Sequence, residues 1–477
     1  MNSKLDAVEI TKGTFQTFFN QNKNDKKKLL CSNKNRFFFF FFRTIKYIFS
    51  SQQNFCKFKF FKKIYKSIII LQKIFKINPN YLFLLFIQYK NKDRLYWISG
   101  KEPPKNQPNA FFFNIDTDLE YEPFFADFGP HSLGNTYRFV TELEHLLQDP
   151  DFSKNLIYHY TGLDSSKRTN AAYLMGAYQV IILGRSANQA WEPFKKIQPP
   201  FTDYRDASYG QCTYKCSILD CLRGLEYAIK LKWFDVRNFK LRDYEFYSRV
   251  ENGDLNIIIP EKFIAFSGPS ATQRDADGYR TFTPEDYVPI FKNLGVTLVI
   301  RLNTKSYEAD RFRKHGIKHL DLYFIDGSCP PDDILETFID VCEKEKGKIA
   351  VHCKAGLGRT GSLIAMYAMK HYHFQASDFI GYIRIARPGS ILGPQQFYLI
   401  ERQQQMHKAG ENSQIWKSVK YLVSDIEDLN KRFDKLNVDK GEKSPEDIRV
   451  ARQGDQGQGE NLVRAKIQAK NSPQFKK

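Results

Sequence analysis

The chain has 477 residues, 42% hydrophobic and 26% charged, with a formal net charge of +19, which leaves room for two domains of ordinary size plus extensions. That charge alone would suggest nucleic acid or an anionic membrane. However, residues 11–90 hold seventeen Lys and Arg against one acid, Asp25, and the remainder is nearly balanced, so no specific nucleic-acid partner is expected. Eight cysteines, Cys31, Cys56, Cys212, Cys216, Cys221, Cys329, Cys342 and Cys353, show no paired framework, which argues against a disulfide-stapled fold.

Residues 1–91 form a low-complexity basic and aromatic segment, with six consecutive Phe from Phe37 to Phe42. Its longest charge-free apolar stretch, Ile77 to Tyr89, has 13 residues and contains Pro79, whereas a spanning helix needs about 20. A membrane association is therefore not expected, although interleaved aromatic and basic residues leave an interfacial segment open. The start lacks the basic, apolar and small-residue zones of a secretory leader. The composition is what AT-rich codons encode, and the segment also reads as translated non-coding sequence.

Residues 92–237 read as a first α/β domain. A β-type run, Ile157-Tyr158-His159-Tyr160, is followed by Ser165-Ser166-Lys167-Arg168-Thr169 and a long apolar helix pattern. Cys212, Cys216 and Cys221 have helical spacing without a matching His or Cys pair, so they read as a core face rather than a zinc site. No metal or other cofactor is expected. Residues 238–251 form a linker. Around it Asp243, Glu245, Glu251 and Asp254 suggest an acidic groove that would attract Lys or Arg on a substrate, or simply a solvated linker face. Arg242 and Arg249 weaken that field.

Residues 252–408 carry the chemistry. Leu322-Tyr323-Phe324-Ile325-Asp326-Gly327-Ser328 is an apolar run ending on a turn. It offers Asp326 as a general acid, with Asp321 as the rival. Asp332 and Asp333 follow Pro330-Pro331 and read as a helix start. Next, a β-type run, Lys348 to His352, leads into Cys353-Lys354-Ala355-Gly356-Leu357-Gly358-Arg359-Thr360-Gly361 and a helical pattern. A Gly-rich turn entering a helix aims backbone N–H groups inward, and the helix dipole adds positive potential. The same field favours a thiolate at Cys353. Arg359 can grip two phosphate oxygens, the Thr360 hydroxyl can donate to the sulfur, and His352 can orient the loop. No Gly-Lys-Ser/Thr precedes the helix, so this is not a nucleotide-binding Walker loop. Downstream, Gln395 or Gln396 could orient a hydrolytic water, or both could begin a helix.

This unit echoes the first domain. Ala350-Val351-His352-Cys353 followed by Gly358-Arg359-Thr360 matches Ile157-Tyr158-His159-Tyr160 followed by Arg168-Thr169, with Tyr160 at the nucleophile position. The echo suggests two tandem α/β domains, each a mixed sheet flanked by helices, of which the first, with its Cys gone, is catalytically dead and kept for packing or substrate contact.

Residues 409–438 carry Ile415, Val419, Leu422, Ile426, Leu429, Phe433 and Leu436 in a 4-3 alternation. That seam could pair with a second copy or pack on the catalytic domain. Leu429, Phe433, Leu436 and Val438 also fit a nuclear-export spacing. Residues 439–477, rich in Gly, Gln and Lys, read as a disordered tail with Ser444-Pro445 and Ser472-Pro473 as proline-directed kinase sites.

Ile325-Asp326-Gly327-Ser328, the loop His352 to Gly361, Met369-Lys370-His371-Tyr372, Arg387-Pro388-Gly389-Ser390 and Gly393-Pro394-Gln395-Gln396 together resemble the cell-division-cycle-fourteen family of mitotic-exit phosphatases. The similarity runs from Asp93 to Gln405 and includes Phe125-Ala126-Asp127-Phe128-Gly129-Pro130 and Val250-Glu251-Asn252-Gly253-Asp254. The family-like start reads Ala7-Val8-Glu9-Ile10 and resumes at Lys92-Asp93-Arg94-Leu95-Tyr96. The resemblance implies two tandem tyrosine-phosphatase-like domains, only the second catalytic, with Cys353 as nucleophile, Arg359 as phosphate clamp and Asp326 as general acid. It further implies phosphoprotein substrates with phosphoserine followed by proline, an opposing role to cell-cycle kinases, and residence in nucleus and cytoplasm, extending to nucleolus, centrosome or spindle. Lipid-directed phosphatases share His-Cys-Lys-Ala-Gly-x-Gly-Arg-Thr-Gly but tend to carry Lys at x, where this chain has Leu357. A phosphoinositide phosphatase and a non-catalytic phosphoprotein-binding module remain the alternatives.

Overall fold

A computed structural model describes residues 85–86 and 94–471, apart from 106, 276–277, 434–439 and 456. Almost all of the basic N-terminal segment lies outside these residues. Among the described residues no helix is long and apolar enough to cross a membrane.

The first domain is built on a four-stranded sheet in the order β1-β2-β4-β3, from β1 (Leu85–Phe86), β2 (Leu95–Ser99), β3 (Ala110–Phe113) and β4 (Leu156–Thr161). β4 runs parallel to both β2 and β3, and β1 is antiparallel to β2. Helices α1 (Leu133–Gln148), α2 (Ser165–Ile181), α3 (Ala187–Trp191) and α4 (Ile218–Lys230) accompany the sheet. α4 starts on a capping box between Ser217 and Asp220, which satisfies two N–H groups that a helix start leaves open. α5 (Leu241–Ser248) forms most of the linker.

The second domain is a five-stranded sheet in the order β5-β6-β9-β7-β8, from β5 (Leu255–Ile259), β6 (Phe263–Phe266), β7 (Val296–Arg301), β8 (Lys318–Asp321) and β9 (Lys348–His352). Only β5 is antiparallel to its neighbour. β9 lies at the centre, and Ile349 to His352 are fully buried, as a strand covered on both faces requires. The helices are α6 (Pro284–Leu294), α7 (Asp310–Arg313), α8 (Asp332–Lys344), α9 (Gly358–Tyr372), α10 (Ala376–Ala386) and α11 (Pro394–Gly410). α8 shows how the sequence writes such a helix. Leu335, Phe338, Ile339 and Cys342 make one buried face, acids occupy its first turn and Lys344 its last, complementing the dipole.

The two domains share one continuous core running from Trp97 through Tyr173 and Leu222 to Tyr382. α4 and α10 cross closely through two glycines. A Cβ on Gly224 would stand 2.1 Å from the Asp378 carbonyl oxygen, and one on Gly381 2.7 Å from that of Asp220. Tyr227 also donates across the seam to the Tyr372 carbonyl at 2.7 Å.

The first half of the heptad seam takes one of its two expected arrangements, packing on this chain, and two expectations change. α12 (Gln414–Phe433) carries the heptad residues, and Ile415, Val419 and Leu422 pack on this chain's own core, beside buried Trp416 and Val423. The side chains from Ile426 to Leu436 lie outside the described residues. The tail is not featureless, since α13 (Pro445–Gln453) and α14 (Gln458–Asn471) are helices. Their buried anchors are Val450 and Leu462, and Ser444 caps α13 through a capping box with Asp447. Ser472-Pro473 falls outside the described residues. Finally, Cys216 and Cys221 are buried as expected, but Cys212 and Cys216 lie in extended chain before α4 rather than on a helix.

Candidate active site

Cys353 sits where β9 ends and α9 begins, at the middle of the five-stranded sheet, and is 3% exposed. The loop around it faces its N–H groups inward because its carbonyls are tied outward. His352 Nδ1 donates to the Cys353 carbonyl at 2.8 Å. Gly268 N donates to the Lys354 carbonyl at 2.8 Å, and the Arg387 guanidinium takes the Ala355 and Gly356 carbonyls at 3.0 and 2.8 Å. Gly356 has φ +66, and a Cβ there would strike the Phe266 carbonyl oxygen at 1.9 Å, so only glycine makes this turn. Leu357 is fully buried beside Ala207, Ala355 and Leu392, and Gly358 opens α9.

The thiol is tuned by opposing effects. Burial alone would raise its pKa. The Arg359 charge and the Thr360 hydroxyl and backbone N–H outweigh burial and the nearby Asp326 charge, and hold it below the ordinary thiol value. The Thr360 hydroxyl is buried with no other partner. His352, by contrast, is kept neutral, its pKa pushed down to about 3 chiefly by burial. With Nδ1 donating, its Nε2 accepts from the Tyr307 hydroxyl at 2.7 Å, and Tyr307 in turn lies 2.8 Å from His319 Nε2. Tyr307 and His319 were not legible as site residues, because nothing near them in sequence marks them.

Arg359 is 3% exposed, and its Nη1 donates to the Leu302 and Phe324 carbonyls at 3.2 and 3.0 Å. Nη2 lies 2.9 Å from Asp326 Oδ1, while Nε is buried without a partner. The site thus brings Asp326, Arg359 and Cys353 together. Asp321 is engaged elsewhere, Arg301 holding both its oxygens at 2.6 and 3.0 Å. Asp332 and Asp333 begin α8 as expected.

The two glutamines separate. Gln395 Nε2 donates to the Ser328 carbonyl at 3.1 Å on the loop of Asp326, and its Oε1 lies 2.9 Å from where a Cβ on Gly358 would be. Gln396 turns away, between Arg384 and Asp206 of the first domain, at 2.6 and 2.7 Å. Only Gln395 adjoins the phosphate loop.

The acidic cluster also divides. Glu245 forms a two-pronged pair with Arg138, both contacts 2.8 Å, and Asp243 is exposed. Asp254 is not a groove residue. It is 5% exposed and pairs with Arg387 at 3.0 Å and with Lys466, so its charge is already neutralised.

Lys466 belongs to α14, which lies over the site. Gly459 N donates to Asp326 Oδ2 at 2.6 Å, Glu460 pairs with Lys354 at 2.8 Å, and Leu462 joins the apolar group around Leu357. Among the described residues no cluster of His, Cys, Asp or Glu has the arrangement of a metal site.

A depressed thiol in a backbone cradle, faced by a buried guanidinium and a nearby carboxylic acid, is the architecture of the cysteine-dependent phosphatases. Comparison with known proteins narrows the class. Residues 90–228 match the family model "Dual specificity protein phosphatase, N-terminal half", and residues 284–405 match "Dual specificity phosphatase, catalytic domain". The chain is 49% identical to human dual specificity protein phosphatase CDC14A over 321 residues, 67% of this chain and 54% of that protein. It is 42% identical to mouse CDC14B over 348 residues, 71% of this chain and 72% of that one. With the fission-yeast tyrosine-protein phosphatase CDC14 homolog the identity is 39%, over 65% and 59% of the two chains. The chain belongs to the CDC14 family of dual-specificity phosphatases. Its match takes in about half the length of the human relative.

Proposed function

We propose that this chain hydrolyses phosphoserine, phosphothreonine and phosphotyrosine in proteins through a phosphocysteine. The observation that carries the reading is the loop, its carbonyls tied to neighbouring groups, that holds a Cys353 of lowered pKa beside the unpartnered Nε of Arg359. The phosphoryl oxygens take the loop N–H groups and the guanidinium, whose planar fork suits them. The Cys353 thiolate forms a bond to phosphorus as the bond to the substrate oxygen breaks, and protonated Asp326 gives its proton to that oxygen. Water held by Gln395 then bonds to phosphorus, the S–P bond breaks, and the water's proton passes to the Asp326 carboxylate. Thiolate and acid are thereby restored, and no metal is required.

Phosphoserine followed by proline is the preferred site in this reading, in opposition to proline-directed cell-cycle kinases in nucleus and cytoplasm. That preference rests on the family. A basic preference has less support, because Asp254 is internally paired and Glu245 is held by Arg138. Buried, uncharged Leu357 offers nothing to the extra phosphates of an inositol lipid, which disfavours that substrate. The experiment is a phosphopeptide panel with wild type and Cys353→Ser. Turnover confined to wild type, with the serine variant still binding peptide, is the expected result. Unchanged kcat/KM when the following Pro becomes Ala would remove the proline preference, and Cys353-independent turnover would remove the mechanism.

A further inference from the structure

We propose that Asp206, on the non-catalytic domain, is a positioning residue for the second, water-attack half of the reaction. The inference rests on the phosphatase reading above and concerns which step this residue serves. Asp206 is 3% exposed, and its contacts are committed to two loops. Oδ1 accepts from the Ser208 hydroxyl at 2.6 Å and the Ser208 N–H at 3.3 Å, which stiffens its own turn. Oδ2 crosses to the catalytic domain, where it accepts from Gly393 N and from Gln396 Nε2 at 2.7 Å.

Gly393 is the hinge of the loop that presents Gln395. Its φ is +52 and ψ −129, and Pro394 opens α11 immediately after it. This is a backbone conformation that glycine adopts freely and other residues rarely do, and the Gly393 N–H given to Asp206 fixes it against the first domain. Gln396 is clamped from both ends, by Asp206 at its nitrogen and by Arg384 at its oxygen, and Arg384 also holds the Ile391 carbonyl at 2.9 Å. Between these fixed points, Leu392 N and Ser328 O leave Gln395 one orientation, against Gly358. Ala207, next to Asp206, packs on Ala355, Leu357 and Leu392. The first domain thus reaches the phosphate loop itself. An interface that needed adhesion alone could use apolar contact here, since burying a carboxylate is costly unless it is fully hydrogen-bonded. This carboxylate is satisfied on one oxygen by Ser208 and on the other by the backbone and the amide that set the glutamine.

The first chemical step needs Cys353, Arg359 and Asp326, none of which Asp206 touches. The second needs a water held in line with the S–P bond. Displacing its holder by a fraction of an ångström should therefore slow hydrolysis and leave phosphoenzyme formation intact.

Rapid mixing of the full chain with p-nitrophenyl phosphate separates the steps, because the burst of p-nitrophenol reports the first and the steady state the second. Asp206→Ala is expected to keep the burst rate within about twofold and to lose between about 10- and 100-fold in steady-state rate. KM should fall with kcat, leaving kcat/KM unchanged. Asp206→Asn keeps an acceptor for Gly393 N and should recover part of the loss. Gln395→Ala should show the same split, and the double variant should be no slower than Gln395→Ala alone. Equal losses in kcat and kcat/KM, or full additivity with Gln395→Ala, would overturn the proposal. If Asp206→Ala does not fold, the same criteria apply to Asp206→Asn. A wild type without any Cys353-dependent turnover would instead overturn the phosphatase reading beneath it.

Discussion

The chain carries the same strand–loop–helix unit twice, and the two copies dispose of the helix start in opposite ways. In the second, the start of α9 faces Cys353, and the guanidinium of Arg359 keeps a free Nε beside it. In the first, two carboxylates of the chain itself bind the loop and the helix start. Asp116 accepts from the Thr161 hydroxyl and Gly162 N, both at 2.8 Å, and Asp164 accepts from Ser166 N and Lys167 N at the start of α2. Arg168, the counterpart of Arg359, turns to the Pro199 carbonyl at 3.0 Å and stacks over Phe201. Tyr160 donates to the Gly100 carbonyl. The fold is common to both units, and what separates them is the side chains at the helix start, Cys353 and Arg359 in one and Asp116 and Asp164 in the other.

That contrast can be attacked directly. Cys353→Ser should bring turnover of an aryl phosphate to background, and adding Tyr160→Cys should not restore it, because Asp116 and Asp164 still occupy the first loop. Activity in the double variant would show that the first unit is merely missing its sulfur. Arg359→Lys should cost about 10²–10³-fold in kcat, since a point charge cannot replace the fork. Asp326→Ala should slow phosphoserine-peptide hydrolysis by about 10²-fold, with a much smaller loss on p-nitrophenyl phosphate, whose leaving group needs little protonation. Equal losses on both would dismiss Asp326 as the acid. Ending the chain after residue 444 removes α14 from above Asp326 and Lys354 and should raise the rate of Cys353 alkylation by iodoacetate severalfold. An unchanged rate would mean that the helix does not shield the sulfur. The smallest effect concerns pH. Arg359 and Thr360 favour the thiolate over burial, so alkylation should rise with pH through a midpoint below the ordinary thiol value of about 8.5. Thr360→Ala should move that midpoint up.

The sequence disclosed what is contiguous. Cys353, Arg359 and Thr360 lie within eight residues, and Asp326 ends an apolar run, so composition and order alone expose their chemistry. Arg387 was visible only as part of a loop, because the carbonyls it holds lie some thirty residues away and its partner Asp254 more than a hundred. For the same reason Asp254 looked like a free acid among others. Asp206 lies in a family-like stretch, Tyr204 to Ser208, which does not disclose its distant partners Gly393 and Gln396, and Tyr307 carries no local signal. The tail misled through composition, since its Gly and Gln content outweighs the few apolar anchors, Val450 and Leu462, that hold α13 and α14.

The crossing of α4 and α10 carries a consequence for how the molecule comes apart. Where Gly224 and Gly381 bring two backbones together, no layer of side chains separates the domains. The halves therefore cannot slide or melt independently without tearing a shared core. Denaturation should appear as one transition rather than two. Gly224→Ala, by wedging a methyl group against the Asp378 carbonyl, should lower the midpoint of that single transition even though it lies on the domain that performs no chemistry. The silent half would then act as part of the foundation on which Cys353 is held, and its loss would cost the enzyme its shape before its specificity.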